Sequence, residues 1–133
     1  MARGLEETLD ELYEIEGVEA CILYRIDGVP ITIRTPGYRE HLLETMFWLE
    51  KQIRHVLGEM NREGLRETIF YFRNNRILIA PSSKSTVLVT ITKAEANQQL
   101  TSLETLRATK IIEECVSRDE QRRLAGDDFL FQE

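Results

Sequence analysis

The sequence predicts an α/β protein of the α+β sandwich kind, a five-stranded antiparallel sheet with helices on both faces. Three observations carry that reading. Residues 18–26 are apolar on both alternating sides, with Val18, Ala20, Ile22 and Tyr24 on one and Cys21 and Leu23 on the other. A strand apolar on both sides must be covered on both sides. Asp27-Gly28 joins this run to a second at 30–34, and Asp-Gly tolerates the positive φ of a tight hairpin turn. A long amphipathic segment then precedes three more strand-like runs at 67–73, 77–80 and 86–92.

The elements follow in order. Leu5, Leu9, Leu12 and Tyr13 recur at helical spacing over 5–16, and Gly17 stands where a C-terminal cap belongs. Pro30 cannot donate a ladder hydrogen bond, which suits the start of an edge strand rather than a central one. Thr35-Pro36-Gly37 breaks the chain, and a helix is expected over 38–61. Its stripe is Leu42, Met46, Leu49, Ile53, Val56 and Met60, which at ~100° per residue form one band to lie on the sheet. Glu40, Glu44 and Lys51 point the opposite way.

Leu43, Phe47 and Leu57 form one flank of that stripe; His41, Thr45, Trp48, Gln52 and His55 form the other. Phe47 and Trp48 therefore lie on opposite edges, too far apart for one contact. One of them is expected in the core; a wide core-facing surface and a partner-facing one are both open for the pair.

Gly64 ends this region. The run at 67–73 holds Ile69, Phe70, Tyr71 and Phe72, with Asn74-Asn75 read as a two-residue turn into the next strand. Pro81-Ser82-Ser83-Lys84-Ser85 is a looser connection. Val87, Val89 and Ile91 alternate with threonines in the last strand. Asn97 is placed to cap a helix over 98–117 that carries Leu100, Leu103, Ile111, Ile112 and Cys115. The division expected is a domain at 1–117 and an extension at 118–133, the latter holding Asp127, Asp128, Phe129, Leu130 and Phe131. Such an end is ordinarily loose or packed on its own fold. The sharper alternative is that Phe129, Leu130 and Phe131 dock on a neighbouring subunit or a client.

Bulk properties narrow the function classes. At 133 residues the chain is one domain, long enough to bury roughly two-thirds of its unfolded surface without staples. A net charge of −6 argues against nucleic acid or an anionic membrane surface as main partner. No apolar run approaches the ~20 residues of a membrane span, and Met1-Ala2-Arg3-Gly4 leads into charged sequence rather than a secretory signal. The expected compartment is the cytoplasm. Cys21 and Cys115 show no C-x-x-C spacing and read as buried reduced thiols.

Each common catalytic constellation is missing. No phosphate-cradling Gly-x-x-x-x-Gly-Lys and no dinucleotide Gly-x-Gly-x-x-Gly occurs. His41 and His55 are 14 residues apart on one helix, about four turns, too far to share a metal. Ser82, Ser83 and Ser85 form a turn-like cluster without a glycine-framed nucleophile elbow. The chain is read as no enzyme, with no cofactor. The run at 67–73 poses a different problem: four consecutive apolar or aromatic residues with no proline inside. As an edge it would invite pairing with another strand.

The order of elements resembles the Roadblock family of dynein light chains and GTPase-regulator modules. The resemblance is carried by Glu16-Gly17-Val18-Glu19-Ala20 leading into the first strand, Arg25-Ile26-Asp27-Gly28 at the first turn, Ser85-Thr86-Val87-Leu88-Val89-Thr90-Ile91, and Asn97 before the last helix. It spans roughly 5–115. The glycine that family members often carry after that asparagine is absent, since Gln98 and Gln99 follow it. The resemblance implies strand order 2-1-5-4-3, with the long helix on one face and the terminal helices on the other. It also implies a homodimer through strand three and the long helix, whose joined platform binds a small Ras-like GTPase.

The interface residues expected on that basis are Ile69, Phe70, Tyr71, Phe72, Phe47 and Trp48; those for the partner are Trp48, Gln52, His55, Arg73 and Arg76. Arg73 and Arg76 qualify as arginine fingers by residue type alone, and solvated surface arginines are their ordinary reading. The leading function is thus a non-catalytic adaptor regulating a GTPase. The alternatives are a motor or signalling scaffold without GTPase regulation, and a sensory module whose cavity would be lined by Tyr24, Phe70 and Trp48.

Overall fold

The structure is a computed structural model that describes residues 4–36 and 40–131, with side chains described for 4–36 and 44–118. Helix α1 (Leu5–Tyr13) leads to strands β1 (Val18–Arg25) and β2 (Pro30–Arg34), then helix α2 (Glu40–Glu63). Strands β3 (Thr68–Tyr71), β4 (Asn75–Pro81) and β5 (Thr86–Lys93) follow, and helix α3 (Gln98–Phe131) closes the described chain. The five strands form one antiparallel sheet in the order β2-β1-β5-β4-β3. That is the expected architecture, with Pro30 opening an edge strand.

Two cores lie on the two faces of the sheet. Leu49, Ile53, Val56 and Met60 of α2 pack on Ala20, Ile22, Tyr24, Ile77, Ile79, Val87, Val89 and Ile91. Met46 joins them from the same stripe; Leu42, its sixth member, lies outside the described side chains. On the other face Leu9 and Leu12 of α1 and Ala108 and Ile112 of α3 pack on Cys21, Leu23 and Leu88. β1 and β4 are thus apolar on both sides because both sides are dry, which the double-sided pattern of β1 foretold; β5 is buried on both sides but sets Thr86, Thr90 and Thr92 around Leu88 on the second. One polar pair sits within the second face, where the buried hydroxyls of Thr90 and Thr105 hydrogen-bond each other at 3.1 Å.

Several boundaries shift for physical reasons. Helix α1 ends at Tyr13, so Gly17 is not its immediate cap. Gly17 instead holds φ +93°, accepts a hydrogen bond from the Lys93 amide at 2.8 Å, and lets Ala96 approach so closely that a Cβ would lie 2.5 Å from the alanine methyl. The β3–β4 turn is displaced by one residue. The Phe72 amide donates to the Asn75 carbonyl at 2.8 Å, leaving Arg73-Asn74 as the loop. Asn75 is buried in β4, where its side-chain amide donates to the Thr92 carbonyl and to Glu19. The Asn97 cap forms as expected, its Oδ1 accepting from the Leu100 amide at 3.0 Å.

Helix α3 does not stop near Ser117 but runs on to Phe131. Of residues 118–131, Arg118, Glu120, Gln121, Arg122, Arg123, Leu124, Ala125 and Leu130 are good helix formers and none is proline, so nothing local ends the helix. The single Gly126 costs only ~1 kcal/mol. Phe129, Leu130 and Phe131 lie outside the described side chains.

Arg34 ties the β2 edge to α1. Its Nε donates to Asp10 at 2.6 Å and its Nη2 to Glu6. Both carboxylates hold the guanidinium more firmly protonated than usual.

Cys21 and Tyr24 are buried, and burial pushes both up to about 12, with the Glu50 carboxylate adding to the effect at Tyr24. Both groups ionise sooner in the unfolded chain, so the fold loses stability as pH rises from the unfolded values of 9.0 and 10.0 toward 12. Urea unfolding is expected to be level near neutrality and to weaken by pH 10.5. Cys21→Ala should restore ~1–2 kcal/mol of that alkaline loss; an unchanged slope would contradict the assignment.

Candidate functional surface

Strand β3 has β4 as its neighbour on one side and, among the described residues, no strand on the other. Its ladder assigns the free groups. Because Phe72 and Asn75 exchange a hydrogen bond, the alternation of an antiparallel pair gives Phe70–Ile77 and Thr68–Ile79 as bonded pairs. The N–H and C=O groups of Ile69 and Tyr71 then point outward along the free edge.

Side chains alternate across β3. Phe70 and Phe72 turn toward α2, where Trp48 packs edge-to-face on both, with ring centroids at 5.2 and 5.0 Å. Trp48 is therefore the member of the helix pair that belongs to the core margin. Phe47 is the other, 60% exposed with Lys51 Nζ 4.4 Å above its ring. Tyr71 is paired with Arg76 and lies on the α3 side, 64% exposed. The Gln98 amide donates to its hydroxyl at 2.9 Å, and the Arg76 guanidinium stacks 5.5 Å from its ring. Ile69 is half-buried. At the start of the strand, Ser102 of α3 donates to Glu67 at 2.7 Å, fixing helix to edge.

The structure thus brings Trp48, Phe70 and Phe72 into one cluster, with Phe47 on the neighbouring helix surface. It does not join the partner residues into one patch. Gln52 and His55 continue the Trp48 side of α2, half-buried and exposed respectively. Arg73 is exposed in the hairpin loop. Arg76 lies on the opposite face of the sheet, its Nη1 donating to the Ala96 carbonyl at 3.4 Å. Tyr24, proposed with Phe70 and Trp48 to line a ligand cavity, is instead 1% exposed within the α2-side core. His41 lies outside the described side chains.

Chemistry of other kinds finds little support among the described residues. No group of three His, Cys, Asp or Glu is placed to hold a metal, and no helix is long and apolar enough to cross a membrane. Ser82, Ser83 and Ser85 spend their hydroxyls on one another and on Thr86, at 2.6 to 3.4 Å. A cavity of about 600 Å³ lies beside that loop, lined partly by Arg54, Gly58 and Lys84. Neither Arg54 nor Gly58 is marked by a motif; the signal the sequence offers is a glycine inside a long amphipathic helix.

Comparison with solved structures shows that this arrangement shares the fold of Roadblock/LC7 domains. MglC from Myxococcus xanthus superposes with a TM-score of 0.70 at 14% identity, covering 81% of this chain and 95% of that one. A Roadblock/LC7 domain from Streptomyces avermitilis gives 0.63 at 14% identity, with 81% and 93% covered. MglB in a tetrameric arrangement gives 0.67 at 13% identity, with 86% and 88% covered. The chain belongs to the AF0774-like protein family, whose family model matches residues 1–106. No curated protein matches by sequence.

Edge-to-face aromatic pairs add ~0.5–1.5 kcal/mol each beyond burial. Trp48→Ala is expected to lower unfolding stability in dilute solution by about 2 kcal/mol or more, and Phe47→Ala by less than about 0.5 kcal/mol. Chemical denaturation of both variants checks this; equal losses would contradict the placement of the two rings.

Proposed function

We propose that this chain is a non-catalytic adaptor that self-associates through β3 and α2 and presents the joined surface to a small Ras-like GTPase. The free side of β3 carries the reading. An unpaired edge of apolar and aromatic residues without proline is a template for another strand, and a second copy satisfies it with two-fold symmetry. In that arrangement the Ile69 and Tyr71 backbones pair across the axis, and Phe47 of α2 meets its counterpart. Phe70, Phe72 and Trp48 form the rigid support beneath. The buried Thr68 hydroxyl, which has no hydrogen-bond partner among the described residues, lies on the same strand.

The Roadblock resemblance supports the GTPase half of the reading. Trp48, Gln52, His55 and Arg73 are the partner residues on or beside α2. Arg76, stacked on Tyr71 and bound to the Ala96 carbonyl, serves the β3 margin rather than reaching into a nucleotide site. Regulation then works by holding GTPase switch segments in one conformation, a shift of population without a supplied catalytic group. The charge of −6 directs the surface away from nucleic acid. The cytoplasm is the compartment this role requires. The domain boundary near residue 117 leaves the rest of α3 free to extend the platform.

Light scattering is expected to return twice the 15.5 kDa chain mass. Tyr71→Pro removes an outward amide without touching the β4 ladder, and Phe47→Glu places a charge on the helix surface. Each should weaken the dimer at least tenfold while circular dichroism stays native. Added wild-type protein, but not these variants, should change nucleotide turnover by a Ras-like GTPase from the same cell. A monomer at every concentration overturns the assembly. A dimer that neither binds nor alters any such GTPase reduces the role to a scaffold.

A further inference from the structure

The 600 Å³ cavity lies at the end of the sheet, under the C-terminal half of α2. Its volume falls in the range of small-molecule sites, roughly 300–1,000 Å³. The walls combine two chemistries. Ile26, Leu57, Met60 and Leu65 supply apolar surface; Arg54 and Lys84 supply positive charge. No acidic residue is among the described residues of the lining, although the chain carries a net charge of −6. The cavity is therefore a cationic spot on an acidic protein, and neither cation forms an ion pair with a described carboxylate.

Arg54 is also oriented. Its Nε donates to the Asp27 carbonyl at 2.8 Å, which fixes the guanidinium at the rim and leaves its terminal nitrogens for an acceptor. The opposite rim is anchored, since the Ile26 amide donates to the Ser85 carbonyl at 3.0 Å. The amides of Ser82 and Ser83 both donate to the Thr86 carbonyl, which holds Lys84 on a closed loop.

Gly58 supplies the independent observation. It sits inside α2, where glycine costs up to ~1 kcal/mol relative to alanine. A Cβ there would meet no atom within 4 Å. No packing among the described residues requires that glycine, and it lines the cavity. Its missing side chain widens the space where an alanine or leucine would narrow it.

We propose that this cavity binds a small amphiphilic anion, with a carboxylate or phosphate head between Arg54 and Lys84 and an apolar body over Gly58 against Leu57, Met60 and Leu65. The site is separate from the β3 edge and does not depend on the adaptor reading. Binding there would report a metabolite to the helix that also carries Phe47 and Trp48.

The test uses decanoate as probe and decanol as its uncharged counterpart, followed by amide NMR of the full chain. Decanoate is expected to saturate shifts at Gly58, Gly64 and Ser83 with a Kd below about 1 mM, and decanol to bind at least tenfold more weakly. Gly58→Leu should abolish the decanoate shifts while its thermal midpoint stays equal or rises, since leucine is the better helix former. Lys84→Glu, in an exposed loop, should weaken decanoate at least tenfold with the fold unchanged. No shift at these amides up to 10-fold above that concentration overturns the proposal. So do equal affinities for decanoate and decanol, or unaltered decanoate binding by Lys84→Glu or by folded Gly58→Leu.

Discussion

Strand β3 has a neighbour on one side and, among the described residues, nothing that shields the other, and much of this molecule's character follows from that. The order β2-β1-β5-β4-β3 leaves two edges, and the chain treats them differently. β2 opens with Pro30 and is clamped to α1 through Arg34, Asp10 and Glu6. Proline and the charged clamp both discourage a visiting strand. β3 carries neither device. Its outward groups belong to Ile69 and Tyr71, and its side chains are backed by a tryptophan on one face and a stacked arginine on the other.

The rest of the fold makes that edge rigid. Three central strands are buried on both faces, so register is over-determined: a slip of one residue would exchange two different buried sets. α2 supplies one cover and presents Phe47 outward; α1 and α3 supply the other. Ser102 and Gln98 of α3 reach Glu67 and Tyr71, so the open edge is held from behind by polar contacts. A pre-shaped edge loses less conformational entropy on association than a loose one.

What could be read from the sequence follows the physics of each signal. The two-sided strand at β1, the six-residue stripe of α2 and the proline at β2 are period and chirality arguments, and they placed the sheet, its covers and one edge. The turn after β3 was missed by one residue because Asn75 was judged by its tolerance of turns. Its buried amide bonds to Thr92 and Glu19 depend on strands distant in sequence. Gly17 was assigned to a helix end, whereas its left-handed backbone serves a close approach by Ala96 that only the fold creates. The end of α3 was drawn where apolar periodicity fades, but helix-forming residues carry it further. Phe47 and Trp48 could not be told apart, since adjacent positions on a helix differ only by which side the neighbouring strand lies. Arg54 and Gly58 are one turn apart on α2, and only tertiary structure brings Lys84 to them.

Hydrogen exchange at the two outward amides of β3 is the most direct probe of the central claim. As protein concentration rises through the dimer range, Ile69 and Tyr71 are expected to slow together by at least tenfold while the Phe70 amide, already bonded to β4, changes little. Fast exchange at Ile69 and Tyr71 at every concentration, in protein whose core amides stay protected, would show the edge left open and contradict the account.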